Sequence, residues 1–217
     1  MRTLSSLTVL TLAIVVSGHA QGFEFRLGAS SLNSHRNVTQ TSGSASSTES
    51  LAGLDLLLRS SNAGLMVRAY QGTFGDATGQ LATGDLLYAD ARLLLGSRPF
   101  AVQLGYGRRA ESESFGENFS QFAIGGAMTT IRIGASGLTV SLGAAAFVEI
   151  DSDKDKVVQL FGGEIESQAQ YALPRGIPAY LMIGFRFNRF TLEEGGGDRH
   201  EELSGLLIGG GLRLGRR

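Results

Sequence analysis

One pattern constrains this chain more than any other. Runs with apolar residues at every second position follow one another along its length, separated by short turns and longer polar stretches in alternation. A period of two is the mark of a strand with unlike faces. A long series of such runs joined by hairpins suits an antiparallel up-and-down sheet closed into a barrel. The short connections Ser60-Ser61-Asn62-Ala63-Gly64, Gly96-Ser97-Arg98-Pro99, Ala135-Ser136-Gly137 and Pro174-Arg175-Gly176-Ile177-Pro178 carry tight-turn chemistry. Between them, residues 31 to 49, 74 to 83, 110 to 118, 151 to 156 and 193 to 202 are rich in Ser, Thr, Gly and charge. They predict long loops gathered at the other end.

The alternation can be followed run by run. Phe23, Phe25, Leu27 and Ala29 oppose Glu24, Arg26, Gly28 and Ser30. Leu54, Leu56 and Leu58 oppose Asp55, Leu57 and Arg59; Leu65, Val67 and Ala69 oppose Met66, Arg68 and Tyr70. Leu87 to Leu95 and Phe100 to Tyr106 continue the pattern. The sixth run begins with Phe122 and Ile124 and ends with Ile131 and Ile133, which predicts a parity slip at Gly125-Gly126, as a bulge would cause. Leu138 to Ile150, Ile165 to Tyr171, Leu181 to Phe187 and Leu206 to Leu214 complete ten strands of about 11 to 14 residues, with eight as the alternative count.

Periodicity does not say which face is inside. A soluble ligand-binding barrel in the periplasm would bury the aliphatic face and wet the charged one. Aliphatic faces almost free of polar residues, on strands long enough for a tilted bilayer crossing, favour lipid outside and charge inside. Arg2, the apolar run Leu7 to Val16 and the small-residue site Gly18-His19-Ala20 read as a secretory signal peptide over residues 1–20, leaving one barrel domain over 21–217. The chain has no Cys, so no disulfide framework is expected. Its 31 glycines suit a narrow lumen, where a missing side chain relieves crowding and lets strands bend. Lys and Arg number 19 against 20 Asp and Glu, so there is no basic surplus to bind nucleic acid.

Signal peptide, short turns, longer connections at the opposite end and an even count of antiparallel runs resemble the small bacterial outer-membrane β-barrel proteins. The resemblance is one of architecture over residues 21–217. It implies export to a Gram-negative outer membrane and a monomer surrounded by outer-membrane lipid, with surface ligands or small solutes as further partners. Members of that class usually end on an aromatic residue that assists assembly, whereas this chain ends on Arg216-Arg217.

The register assigns a set of charges to the lumen: Glu24, Arg26, Asp55, Arg59, Arg68, Asp90, Arg92, Glu149, Glu164, Glu166, Arg186 and Arg213. Acids and bases nearly balance, and unpaired charges in a narrow interior are costly. Pairing across strands that plugs the barrel is therefore expected. A small ion-conducting pore is the alternative.

Motifs of chemistry are weak. Gly105-Tyr106-Gly107-Arg108-Arg109-Ala110 fits a dinucleotide fingerprint, but no helical pattern follows it. Asp151-Ser152-Asp153-Lys154-Asp155 has calcium-loop spacing without the turn glycine. Asp198-Arg199-His200 looks like the aspartate-x-histidine pair of the omptins, ten-stranded outer-membrane proteases, with Asp151 and Asp153 as candidate partner carboxylates. A lipid-modifying hydrolase would set His35 beside Ser34, or His200 near Ser204. The expectation is a non-enzymatic barrel without catalytic residues, cofactor or metal, serving envelope structure, surface interaction or weak passage of small solutes. A hydrolase using Asp198 and His200 is the alternative.

Overall fold

The computed structural model describes residues 23–40, 43–74, 84–113, 116–134, 137–152, 157–174, 177–194 and 197–215. The proposed signal peptide lies outside them. Ten strands follow in chain order: β1 (Glu24–Gln40), β2 (Gly43–Arg59), β3 (Ala63–Phe74), β4 (Gly84–Leu95), β5 (Phe100–Glu113), β6 (Gly116–Ile133), β7 (Leu138–Ser152), β8 (Val157–Ala172), β9 (Ala179–Glu194) and β10 (Gly197–Gly215). Each pairs antiparallel with its chain neighbours, and β1 pairs with β10 from Glu24↔Gly215 to Thr39↔His200, closing the sheet into a barrel. Closure satisfies both edges of the sheet, which an open sheet of this length would leave unpaired. The alternative count of eight is set aside.

Alternation divides each strand between two environments. On β4, Leu86, Tyr88, Asp90, Arg92 and Leu94 are buried inward, while Leu87, Leu93 and Leu95 are exposed outward. Around the ring the contrast is the reverse of a water-soluble protein: Phe100 is 69% exposed, Leu54 and Ile150 are 62%, yet Arg92 and Arg186 are only 1% exposed. A contiguous apolar belt with a polar interior is the distribution of a transmembrane β-barrel. The aliphatic faces do not turn inward, as a soluble periplasmic barrel requires.

The structure differs from the sequence reading in two places. Phe122 and Ile124 are buried in the lumen, so β6 keeps one parity and does not slip at Gly125-Gly126. The irregularity lies opposite, where Gln121 pairs with Asp151 and Phe122 with Glu149, leaving Ile150 as the extra residue of a bulge on β7. The second difference concerns the polar stretches 31–49, 110–118 and 193–202, whose described residues are strand. β1 and β2 stay in register up to Gln40↔Gly43, and β9 and β10 up to Glu194↔Gly197. The strands accordingly reach 12 to 19 residues. A ladder can continue beyond the apolar belt with polar side chains on both faces, and such a segment reads as a loop.

The opposite end is trimmed by tight turns. Ser60 N–H donates to the Ala63 carbonyl at 2.7 Å, and Gly137 takes a left-handed φ of 77° where β7 begins. The barrel thus has a short-turn end and a long-hairpin end.

Candidate functional site

The candidate site is the filled lumen. It is built by the inward parity of all ten strands. At the short-turn end Glu24 on β1 gathers three arginines: Arg26 at 3.3 Å, Arg213 at 3.0 Å and Arg98 from the β4–β5 turn. Arg26 also donates to the Gln170 side-chain oxygen, and Gln170 donates to Gln168 at 2.6 Å. Arg59 is buried beside this group, next to Glu24 in the β1–β2 register.

The middle of the lumen holds three guanidiniums and three carboxylates in direct contact, with Asp55 beside them as the β2 partner of Arg68. Arg68 on β3 is 2.8 Å from Asp90, 3.1 Å from Glu164 and 2.6 Å from Glu166. Arg92 on β4 is 2.9 Å from Asp90 and 3.0 Å from Glu164. Arg186 on β9 donates through Nε to Glu166 at 2.8 Å and lies 4.4 Å over the Tyr70 ring. Equal numbers of opposite charges sharing bidentate contacts can offset the cost of removing each ion from water, which isolated buried charges cannot do. Neutral side chains complete the shell as acceptor and donors. Arg92 donates to Gln103 at 2.9 Å, and the Ser30 and Tyr70 hydroxyls each donate to Asp55 at 2.9 Å.

Toward the long-hairpin end an aromatic layer follows. Phe122 packs 5.0 Å from Phe147 and 5.9 Å from Tyr88, and Phe147 stacks on Phe190 at 5.6 Å. Close packing accounts for Gly105 and Gly107: a Cβ on Gly107 would strike the Phe122 ring, and one on Gly105 would meet the Ala91 carbonyl and Arg92. The segment that resembles a dinucleotide fingerprint is continuous strand in β5. Above the rings Glu201, 1% exposed, is 2.9 Å from Arg36, 2.6 Å from Arg109 and 3.5 Å from Arg199.

Every charge that the register assigned to the lumen lies on the inward parity of its strand. Eleven of the twelve are buried or bonded in the groups just described. The twelfth, Glu149, is half-buried on β7 opposite Phe122. Sequence reading missed Arg36, Arg109, Arg199 and Glu201 because they lie at or within stretches read as loops. The signal was present: Arg199, Glu201 and Leu203 continue the inward odd positions of β10 that include Leu207 and Gly211.

The hydrolytic constellations do not assemble. His200 is on the outward parity of β10, and its Nδ1 lies 3.1 Å from the Thr191 hydroxyl; the side chains of Asp198 and Asp153 lie outside the described residues. Ser34 is buried inward with its hydroxyl on the Glu49 carbonyl, whereas His35 is exposed on the opposite face with Thr48. Among the described residues no group of His, Asp and Glu is arranged to hold a metal ion.

No family model and no curated protein matches the chain. Among solved structures it is similar to Neisserial surface protein A, at 13% identity over 88% of this chain and 97% of that one, with a TM-score of 0.43. It is also similar to the outer membrane protease OmpT from Escherichia coli, at 10% identity over 91% and 97% with a TM-score of 0.44. A third is the translocator domain of the autotransporter NalP from Neisseria meningitidis, at 11% identity over 94% of each chain with a TM-score of 0.41.

Proposed function

We propose that this chain is a monomeric integral β-barrel of a Gram-negative outer membrane, exported by a signal peptide over residues 1–20. Its lumen is closed, and its work is done by the wall and the tall hairpins, as envelope structure or as a surface for interaction. The observation that carries this reading is the direct contact of Arg68 with Glu164, at 3.1 Å, from strands on opposite sides of the ring. Arg92, Asp90, Arg186 and Glu166 fill the space around that contact from neighbouring strands, which argues against free flow of solutes. The apolar belt, with Leu54, Phe100, Ile150 and Leu181 each more than half exposed, supports placement in lipid. The outward, Thr191-bonded position of His200 gives the hydrolase alternative no support from geometry.

The test is fractionation of a Gram-negative host followed by electrophoresis in SDS with and without boiling. Recovery from the outer membrane and faster migration of the unboiled protein are expected. Recovery from the soluble periplasmic fraction with no shift in migration would overturn the reading.

A further inference from the structure

The outer wall is not uniform. Across β6, β7 and β8 the outward positions Gly125, Ala127, Ala144, Ala146 and Gly163 are small and adjacent, since Gly125 pairs with Ala146, Ala127 with Ala144, and Ala146 with Gly163. Larger side chains rise on both sides, Val102 and Leu104 on β5 and Phe187 on β9. Two hollows of about 670 and 580 Å³ follow from this relief. They share Ala144 and Ile165, so they form one furrow, from Gly96 and Phe100 near the short turns to Arg189 and His200 near the long hairpins. A Cβ on Gly125 would meet nothing within 4 Å, so the floor is open at that point.

The end of the furrow is polar. Arg189 on β9 pairs with Gly163 of β8 and with Glu202 of β10, from which it lies 3.8 Å, and its side chain is 56% exposed. One step further out, His200 rests on Thr191 through Nδ1, which leaves Nε2 for another partner. A long, narrow apolar groove ending at a guanidinium and an imidazole has the shape and polarity of one lipid molecule. An acyl chain fits the groove and a phosphate fits the cationic end.

We propose that this furrow is a binding site for an anionic phospholipid, its chain lying over Gly125, Ala144 and Ala146 and its phosphate held by Arg189 and His200. The assignment rests on the reading that the belt stands in lipid. A phosphate can displace Glu202 as the partner of Arg189, because the carboxylate stands 3.8 Å from Nε, beyond hydrogen-bond reach, in a solvated pair of little strength, whereas a bound phosphate can approach and accept two parallel N–H bonds. Glu202 then competes with the ligand and lowers its affinity. A second copy of the chain is the weaker occupant, since a stable interface requires a broad complementary surface rather than a furrow.

Native mass spectrometry of the full-length protein in neutral detergent tests this, with phosphatidylglycerol and phosphatidylcholine as probes. Both lipids carry a phosphate, but phosphatidylcholine also brings a quaternary ammonium against the Arg189 guanidinium, so phosphatidylglycerol is expected to bind about tenfold more tightly. Arg189→Ala should abolish that preference, and Glu202→Gln should increase it. Gly125→Phe, or Ala144→Leu as a second filling variant, should weaken both lipids together. Equal binding of the two lipids by the unaltered protein, or undiminished binding when the furrow is filled, would overturn the proposal. So would a dimeric mass that both filling variants abolish. Each variant is checked for the gel shift, so failure of the barrel reading and failure of the lipid site give different results.

Discussion

Arg68 on β3 and Glu164 on β8 form an ion pair across the full width of the barrel, Nη2 to Oε1 at 3.1 Å, from strands five steps apart in a ring of ten. Arg109 on β5 and Glu201 on β10 repeat the relationship nearer the long hairpins at 2.6 Å, again five steps apart. Two diametric ion pairs separated by stacked rings act as internal struts. They hold opposite walls together as well as filling the space between them.

Removing one end of a strut leaves the other charge buried without its partner. Arg68→Ala strips Asp90, Glu164 and Glu166 of a shared cation and is expected to cost about 3–5 kcal/mol. The check is the urea midpoint in detergent micelles. Glu202→Gln, which removes a partly exposed pair, should cost no more than about 1 kcal/mol.

Glycines on the two faces should respond in opposite ways. Gly107→Ala forces a methyl group into the Phe122 ring and is expected to destabilise by about 1–3 kcal/mol. Gly125→Ala enters open space on the lipid face and should be neutral or slightly stabilising. Loss of the gel shift as temperature rises ranks the two.

A cation on the belt should cost more than one in the hairpins. Leu142, 52% exposed on the outward face of β7 in line with Val140 and Ala144, sits in the belt, and Leu142→Arg is expected to lose about 2–4 kcal/mol. Thr48→Arg, on an exposed hairpin position, should change stability by less than about 1 kcal/mol. Urea titration of both variants measures the difference.

The sequence makes the fold legible through parity. Leu54, Leu56 and Leu58 against Asp55 and Arg59 already separate the two faces of β2, and Ser60 to Gly64 already marks its turn. Parity also places the central charges on one face, because Asp90 and Arg92, or Glu164 and Glu166, are two residues apart. It does not say which pairs meet across the lumen. That depends on strand number and stagger, which set what lies opposite what. Phe122 and Ile124 misled because the lumen is partly apolar: aromatic residues there resemble a lipid face, and a slip was needed to reconcile them with Ile131 and Ile133. Arg36 and Glu201 were hidden for the converse reason. Above the belt both faces of a strand are polar, and the alternation fades although the ladder continues.

The most direct measurement is single-channel recording of the purified protein in planar lipid bilayers, unaltered and with Arg68→Ala and Glu164→Ala combined. A lumen closed by its struts predicts no steady conductance from the unaltered protein and measurable conductance once both side chains are shortened. Steady, ohmic conductance from the unaltered protein, unchanged by the double substitution, would contradict the closed lumen.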